Sequence, residues 1–524
     1  MKKLFIQASC FLLLLASISS CSKKIEDDYI NPDNSTTGYV GKLFTYMLMN
    51  DRIRPTYWDY ATFVTGVTGK YSQFIGVTTK AQMYVPSIGY NLDRWNSYYT
   101  SGIVNQYREI QKNFNTLAST QQAEQIIYLQ LAKVIYYDQT AQIVDLWGDI
   151  PFSEAGSLNS TNSLSYAKFD DASAIYDTII GGLKKINTFL ASATLSNATK
   201  TDLSKQDILL NGDLTKWRRY VNSLRLRLLM RISNVNESVA KTEVTAMLND
   251  PATYPLVDAN TNNILLNMNP SVTSFSSEGL QAGITDGATS DGPIATEYML
   301  NTVMVANSDP RTDVFWNPGV DGYKGLSSTL TTTEQENLIA KGKLATIDSG
   351  TFVMNRNVPG VLVTAAEVSF LKAEAYERWS LGTAQTAYEA GIRQSISFYY
   401  SLNQAAVFSG YTKASVATPA TASIDAYIAG SGIAYSGTTA VKLQKIGTQK
   451  WLNFFILQAG QAWAEVRRTG YPSLTFINDP SFSSALQPPV RLLYPTTEKS
   501  YNAANYAKVA AKDTRDTKIF WDVN

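Results

Sequence analysis

Two regions of this chain interleave aromatic rings with amide, carboxylate and guanidinium groups. One holds Tyr84, Tyr90, Asn91, Asp93, Arg94, Trp95, Tyr98 and Tyr99; the other holds Phe275, Trp316, Asn317, Asp321 and Tyr323. Saccharide recognition needs this mixture: a flat apolar face covers the C–H side of a pyranose ring, and polar groups on the same concave surface take its hydroxyls. Tyr84, Tyr90, Trp316 and Tyr323 lead the candidates, because they fall in segments that read as loops, where binding residues concentrate. Asn91, Arg94, Trp95 and Phe275 complete the set. Trp95, Tyr98 and Tyr99 can equally anchor the helix that follows, since buried aromatics usually serve packing.

The chemistry missing from the chain narrows the function further. There is no histidine, which removes Ser-His-Asp and Cys-His catalysis, histidine zinc sites and imidazole proton shuttles. A glycoside hydrolase needs two carboxyl groups about 5–9.5 Å apart across a cleft. Acids are plentiful, but no compact pair stands in a recognisable catalytic motif, so binding without catalysis, cofactor or metal is the expectation. Asp258 to Asn262 begins like a calcium loop, yet Asn263 and Asn269 occupy the places of its glycine and bidentate acid; it reads as a turn. Arg218, Arg219, Arg225, Arg227 and Arg231 lie beside the apolar stripe of one helix and read as a solvated or salt-bridged face.

The N-terminus sets the compartment. Lys2 and Lys3, the apolar run Leu4 to Ile18 and the small residues Ser19 and Ser20 form the three parts of a secretory signal. Cys21 follows at once, and Ile18-Ser19-Ser20-Cys21 looks like a bacterial lipobox, in which the thiol becomes the lipid attachment point; an ordinary signal followed by an incidental cysteine is the alternative. Several acyl chains anchor what one cannot, at about 0.8 kcal/mol per buried CH₂. Cys10 leaves with the signal, so the mature chain can form no internal disulfide and must rely on its core. Losing Lys2 and Lys3 takes the basic residues from 45 to 43 against 44 acidic, a balance with no electrostatic footprint for nucleic acid.

The elements that must position the candidates are mostly helical. Val40, Leu43, Phe44, Met47 and Leu48 space a first helix, which Thr36 or Thr37 could cap. Ile103, Tyr107, Ile110 and Phe114 mark another, and a helix through Ile127, Leu131, Val134 and Ile135 runs to Leu146, stopped by Gly148 and Pro151. Asp171 and Asp213 open the next two. A second helical block begins near Thr364, where Ala366, Phe370, Ala373 and Tyr376 face Ala384, Tyr388, Gly391, Ser395 and Tyr399 across a break at Gly382, a tetratricopeptide-like hairpin. Residues 249–360 and 401–437 are polar with little periodicity and read as presented loops with short strands. Helical scaffold plus presented loops is the expected architecture. A helical-repeat scaffold that binds only proteins would share it but leave the loop aromatics unused.

Four ordered stretches carry a family resemblance: Asp145-Leu146-Trp147-Gly148-Asp149-Ile150-Pro151-Phe152; Gly212 to Trp217 continuing through Arg225-Leu226-Arg227-Leu228; Ala365 to Ala375; and Trp451 through Trp463-Ala464-Glu465-Val466-Arg467-Arg468-Thr469-Gly470-Tyr471-Pro472. With the tail Arg491 to Pro495 and Phe520-Trp521-Asp522, this order resembles the SusD/RagB family of Bacteroidetes outer-membrane lipoproteins, in its SusD-like branch. Gln461 and Val466 depart from the pattern, where an acid and an aromatic are usual. The acidic Glu26-Asp27-Asp28 is similar to the surface-export signal of such lipoproteins. The resemblance implies a mainly α fold of tetratricopeptide-like helical pairs with a loop-rich ligand-presenting region. It also implies a lid-like seat on a SusC-like TonB-dependent transporter, and capture of oligosaccharides, glycopeptides or peptides for import at the cell exterior. The expected organisation is a signal peptide at 1–20, a flexible lipid-tethered spacer at 21–35 and one SusD-like domain at 36–524. Within the motifs, Arg467 and Arg468 are expected to pair with nearby acids at a turn.

Overall fold

A computed structural model describes residues 38–523, apart from 101, 162, 273–274 and 286–292. The signal segment, Cys21, the spacer and the suggested caps Thr36 and Thr37 lie outside the described residues.

The described chain is mostly helical. The first helix, α1 (Val40–Leu48), starts after Tyr39 with no side-chain cap and buries Val40, Phe44, Met47 and Leu48. Next come α2 (Ile88–Tyr99), α3 (Ile103–Asn115) and α4 (Ser119–Trp147). The α3 stripe of Ile103, Tyr107, Ile110 and Phe114 is buried as its spacing predicts. α4 ends at Gly148, whose φ of 77° is open to glycine at no steric cost and whose N–H still reaches Val144. Asp171 and Asp213 each accept two backbone N–H groups and so open α5 (Ala172–Ser192) and α6 (Leu214–Arg231). Thr364 caps α7 (Ala365–Trp379) through the N–H of Glu367, and α8 (Ala384–Gln404), α9 (Thr439–Phe454) and α10 (Ala459–Thr469) follow.

The helices pack as sequential pairs, α3 with α4, α5 with α6, α7 with α8 and α9 with α10. At Gly391 of α8 a Cβ would stand 2.6 Å from the Phe370 ring of α7, so this close pairing requires glycine. α7 is apolar on two faces and joins two cores. Val368, Leu371, Ala375 and Trp379 enter a core built with α1 to α6 and the C-terminal Trp521. Ala366, Phe370 and Ala373 enter a second core with α8, α9 and Phe315, Trp316, Phe352 and Phe455. Among the described residues the strands form two-stranded antiparallel ribbons: Ile150–Pro151 with Phe169–Asp170, Ile264–Leu266 with Gly360–Val363, and Trp316–Asn317 with Thr346–Ile347.

The expectations for the loop-rich regions and for Arg467 need correcting. Region 249–360 carries helices at Leu280–Thr285, Tyr298–Met304 and Thr332–Ala340, and region 401–437 carries one at Thr421–Ala429; these stretches are too short to show a period in the sequence. Of the two forms expected for the arginine face of α6, the salt-bridged one holds, with Arg218 and Arg219 only partly buried. Arg225, Arg227 and Arg231 are buried, paired respectively with Glu243, with Glu367 and Asp138, and with Asp145 and Glu465. Arg468 does meet acids, with Nη2 at 2.7 Å from both Glu374 and Glu465, which also bind Lys450. Arg467 instead donates to the carbonyls of Val490 and Asp145 at 2.7 and 2.9 Å and lies 4.0 Å over the Trp463 ring.

Candidate functional site

Several of the residues selected from sequence belong to packing. Trp316 is 1 % exposed, its indole N–H turned to the Met304 sulfur and its ring against Phe455 at 5.2 Å. Both faces are closed, so it offers a ligand none. Trp95 is equally buried, packed on Trp147 and Tyr494 and bonded to Glu498. The Tyr98 and Tyr99 hydroxyls bond Thr140 and Pro151. The helix-anchoring alternative therefore describes all three. Phe275 is half-buried against the first core. Tyr323 is half-buried and donates to Asp313 at 2.8 Å; burial, and then that carboxylate, push its phenol up. Trp316 lies inside the second core and Tyr323 packs against it.

Tyr90, Asn91 and Arg94 are gathered on the first two turns of α2, not on a loop. Ser87 caps that helix by accepting the Tyr90 N–H, so the stretch folds into a helix where sequence reading placed a loop. Asn91 donates to the Leu493 carbonyl at 2.7 Å. Arg94, one turn beyond Tyr90, forms an ion pair with Asp59 and stacks 3.9 Å over Phe63.

This ion pair fixes α2 beside a segment absent from the sequence-derived candidates. Pro55 and Thr56 lead into one helical turn, Tyr57–Asp59, with Thr56 accepting the Asp59 N–H. A wide helix with hydrogen bonds five residues apart continues over Tyr60–Thr68, a form often found near functional sites. Tyr57 and Trp58 stack at 5.6 Å and 21°, and the Tyr90 ring meets Trp58 edge-on at 6.2 Å. The backbone of Tyr57 lies against Gly283, where a Cβ would come 2.7 Å from its carbonyl oxygen. The chain has nine tryptophans. Eight are buried, whereas Trp58 is 51 % exposed and Tyr57 37 %. A wide aromatic face is thus held open to solvent on a buried frame. The sequence did carry a signal for it: adjacent Tyr57 and Trp58 follow a proline, and no large apolar residue stands three or four places from Trp58 in either direction.

Two concave features adjoin these elements. A cavity of about 90 Å³ is lined by Arg52, Arg54, Pro55, Asp59, Arg94 and Gln461 among others, chain neighbours of the platform residues. Farther along, Tyr84 stands at a cavity of about 350 Å³ with Lys70, Gln73, Glu297, Tyr298 and Phe476. Most of Tyr84 is buried. Its hydroxyl donates to Ile477 at 2.8 Å and its ring meets Phe476 edge-on; burial, then the charge of Asp479, push its phenol up to about 12, so it is a neutral donor at physiological pH. This cavity joins segment 70–84 to segment 296–329; of the candidate residues only Tyr84 lines it, with Tyr298 in place of Trp316 or Tyr323.

The helical pairs thus hold an exposed aromatic face with two cavities nearby. The SusD-like family model, described as starch-binding and associating with the outer membrane, matches residues 38–495; the chain belongs to that family. Solved structures agree in fold. A chitin-binding protein superposes with a TM-score of 0.73 at 22% identity, over 93% of this chain and 100% of its own. A chitin-binding SusD homolog from Flavobacterium johnsoniae gives 0.71 at 21% identity, over 93% and 99%. A SusD homolog from Bacteroides fragilis gives 0.70 at 18%, over 92% and 100%. At these identities the likeness is one of fold. None of the curated proteins compared matches the chain. Among the described residues no helix is long and apolar enough to cross a membrane.

Proposed function

We propose that this protein captures oligosaccharides on the Tyr57–Trp58–Tyr90 face and passes them, without turnover, to a SusC-like TonB-dependent outer-membrane transporter. It does so from the cell exterior, held by lipid on Cys21 at the start of the mature chain, with residues 21–35 as the tether and 36–524 as the binding domain. The observation that carries the reading is the exposure of Trp58 in a chain that buries its eight other tryptophans. An apolar ring left in water beside polar groups is suited to the C–H face of a sugar. Family membership supports the nutrient-capture role, and the chitin-binding relatives support a glycan as its cargo. Tyr84 with Tyr298, at the larger cavity, and Tyr323, beside Asp313, are secondary contact points for a long chain.

Calorimetry against starch, chitin and other oligosaccharides tests the ligand, with glycopeptides and peptides as the comparison. Binding of at least one saccharide that weakens in Trp58→Ala supports the reading; exclusive binding of peptides overturns it. Purification from native outer membranes in mild detergent should co-recover a TonB-dependent barrel. Recovery of the lipoprotein alone would count against the transporter partnership.

A further inference from the structure

The cavity lined by Arg52, Asp59 and Arg94 holds more positive charge than it neutralises. Four guanidinium groups line it, with Asp59 as the lining carboxylate. Arg227 is paired with Glu367 and Asp138, Arg54 with Asp51, and Arg94, through one Nη, with Asp59. Arg52 has no ion pair among the described residues. Its Nε donates to the Gln139 amide oxygen at 3.1 Å, its Nη1 reaches the Arg94 carbonyl and Ser97 hydroxyl at 3.4 and 3.3 Å, and its Nη2 is buried without a hydrogen-bond partner. The Nε of Arg94, on a side chain 10% exposed, is likewise without one. Burial, and then the charge of Arg94, disfavour the charged form of Arg52. A second, smaller cavity that shares Arg94 and Gln461 with it is lined by Asp145, which Arg231 already faces at 3.6 Å. Unpaired buried donors of this kind are expensive unless an acceptor completes them.

We propose that this cleft is an anion subsite that receives the acidic substituent of a sugar, a carboxylate or sulfate ester, while the ring itself rests on Trp58. The inference builds on the saccharide reading above and specifies its substrate class as acidic glycans. Size favours a substituent over a whole residue: the cleft has about 90 Å³, against about 350 Å³ for the cavity at Tyr84. Position supports the link to the platform, because Pro55 and Asp59 of the cleft wall bracket Tyr57 and Trp58 in the chain, and Arg94 follows Tyr90 by one helical turn. An anion there bonds Arg52 and Arg94 in a site partly withdrawn from water, where charge-assisted bonds are strong.

The test uses disaccharides that end in glucuronic acid, in glucose 6-sulfate or in glucose, titrated calorimetrically into the mature protein. The expected result is binding on the order of tenfold tighter for one or both acidic members than for the neutral one, with that ratio falling to near unity in Arg52→Gln and largely kept in Arg52→Lys. Preference for the glucuronate member or for the sulfated one identifies which acid is read. Equal affinity for all three overturns the acidic subsite while leaving saccharide capture standing. Failure of all three to bind, while other neutral saccharides bind and weaken in Trp58→Ala, also overturns the subsite alone; absence of all saccharide binding overturns both. If Arg52→Gln melts early, the ratio in the unaltered protein still decides.

Discussion

Replacing Trp58 by alanine removes the one tryptophan ring that the fold leaves in water. A tryptophan side chain presents on the order of 250 Å², and Trp58 is 51 % exposed, so about 130 Å² is open to a ligand. At about 25 cal/mol per Å², complete coverage stabilises a complex by about 3 kcal/mol, and a sugar covering two-thirds of the face by about 2 kcal/mol. Trp58→Ala should therefore weaken binding of the best saccharide about thirtyfold, a typical loss for an aromatic hot spot. The fold should hardly notice, because exposed substitutions usually change stability by about 0.5 kcal/mol or less; the stacking with Tyr57 and the Tyr90 edge set the upper end of any shift. Calorimetry paired with a thermal melt separates the two effects. Unchanged affinity in a fully folded variant would refute the area argument and move the site away from Tyr57 and Trp58.

Trp316→Ala should behave in the opposite way: with both faces packed, its removal costs about 3–5 kcal/mol of stability, read by denaturant unfolding, and leaves saccharide affinity intact at temperatures where the variant remains folded. Glu374→Gln should destabilise the protein by about 3–5 kcal/mol at pH 7, because it leaves Arg468 and Lys450 short of a buried partner. The same pair has a pH signature. Burial opposes the Glu374 charge, but Arg468 and Lys450 outweigh it and hold the carboxyl down at about 2, against about 4.3 in an unfolded chain. Its contribution is full above about pH 4.3 and is lost as pH falls through about 2, so acid melts of Glu374→Gln should lack that part of the wild-type decline. Cys21→Ala should release a folded protein from the membrane, as fractionation would reveal; unchanged retention would sink the lipid-anchor reading.

Local chemistry explains what was legible from sequence. Gly148, Asp171, Asp213 and Thr364 mark helix ends because glycine conformation and side-chain capping act within a few residues, and the α7–α8 pair follows from small residues such as Gly391. The site was legible only in part. Tyr90, Asn91 and Arg94 do gather beside the platform, yet nothing local announces that Phe455 closes over Trp316 while Trp58 stays open. Those outcomes depend on segments brought from far along the chain, as do the buried partners of Arg227 and Arg231. Composition predicts that such arginines need acids; the packing of α6 against α4, α7 and α10 supplies them.

Iodide quenching of tryptophan fluorescence tests the central claim most directly. With eight of nine tryptophans buried, the quenchable signal of the free protein belongs to Trp58. Saturation with the tightest-binding saccharide from the calorimetric panel should abolish that quenching, with a midpoint equal to the calorimetric affinity, and Trp58→Phe should have no quenchable signal to lose. Full iodide access to Trp58 in the saturated complex would contradict capture at the Tyr57–Trp58–Tyr90 face.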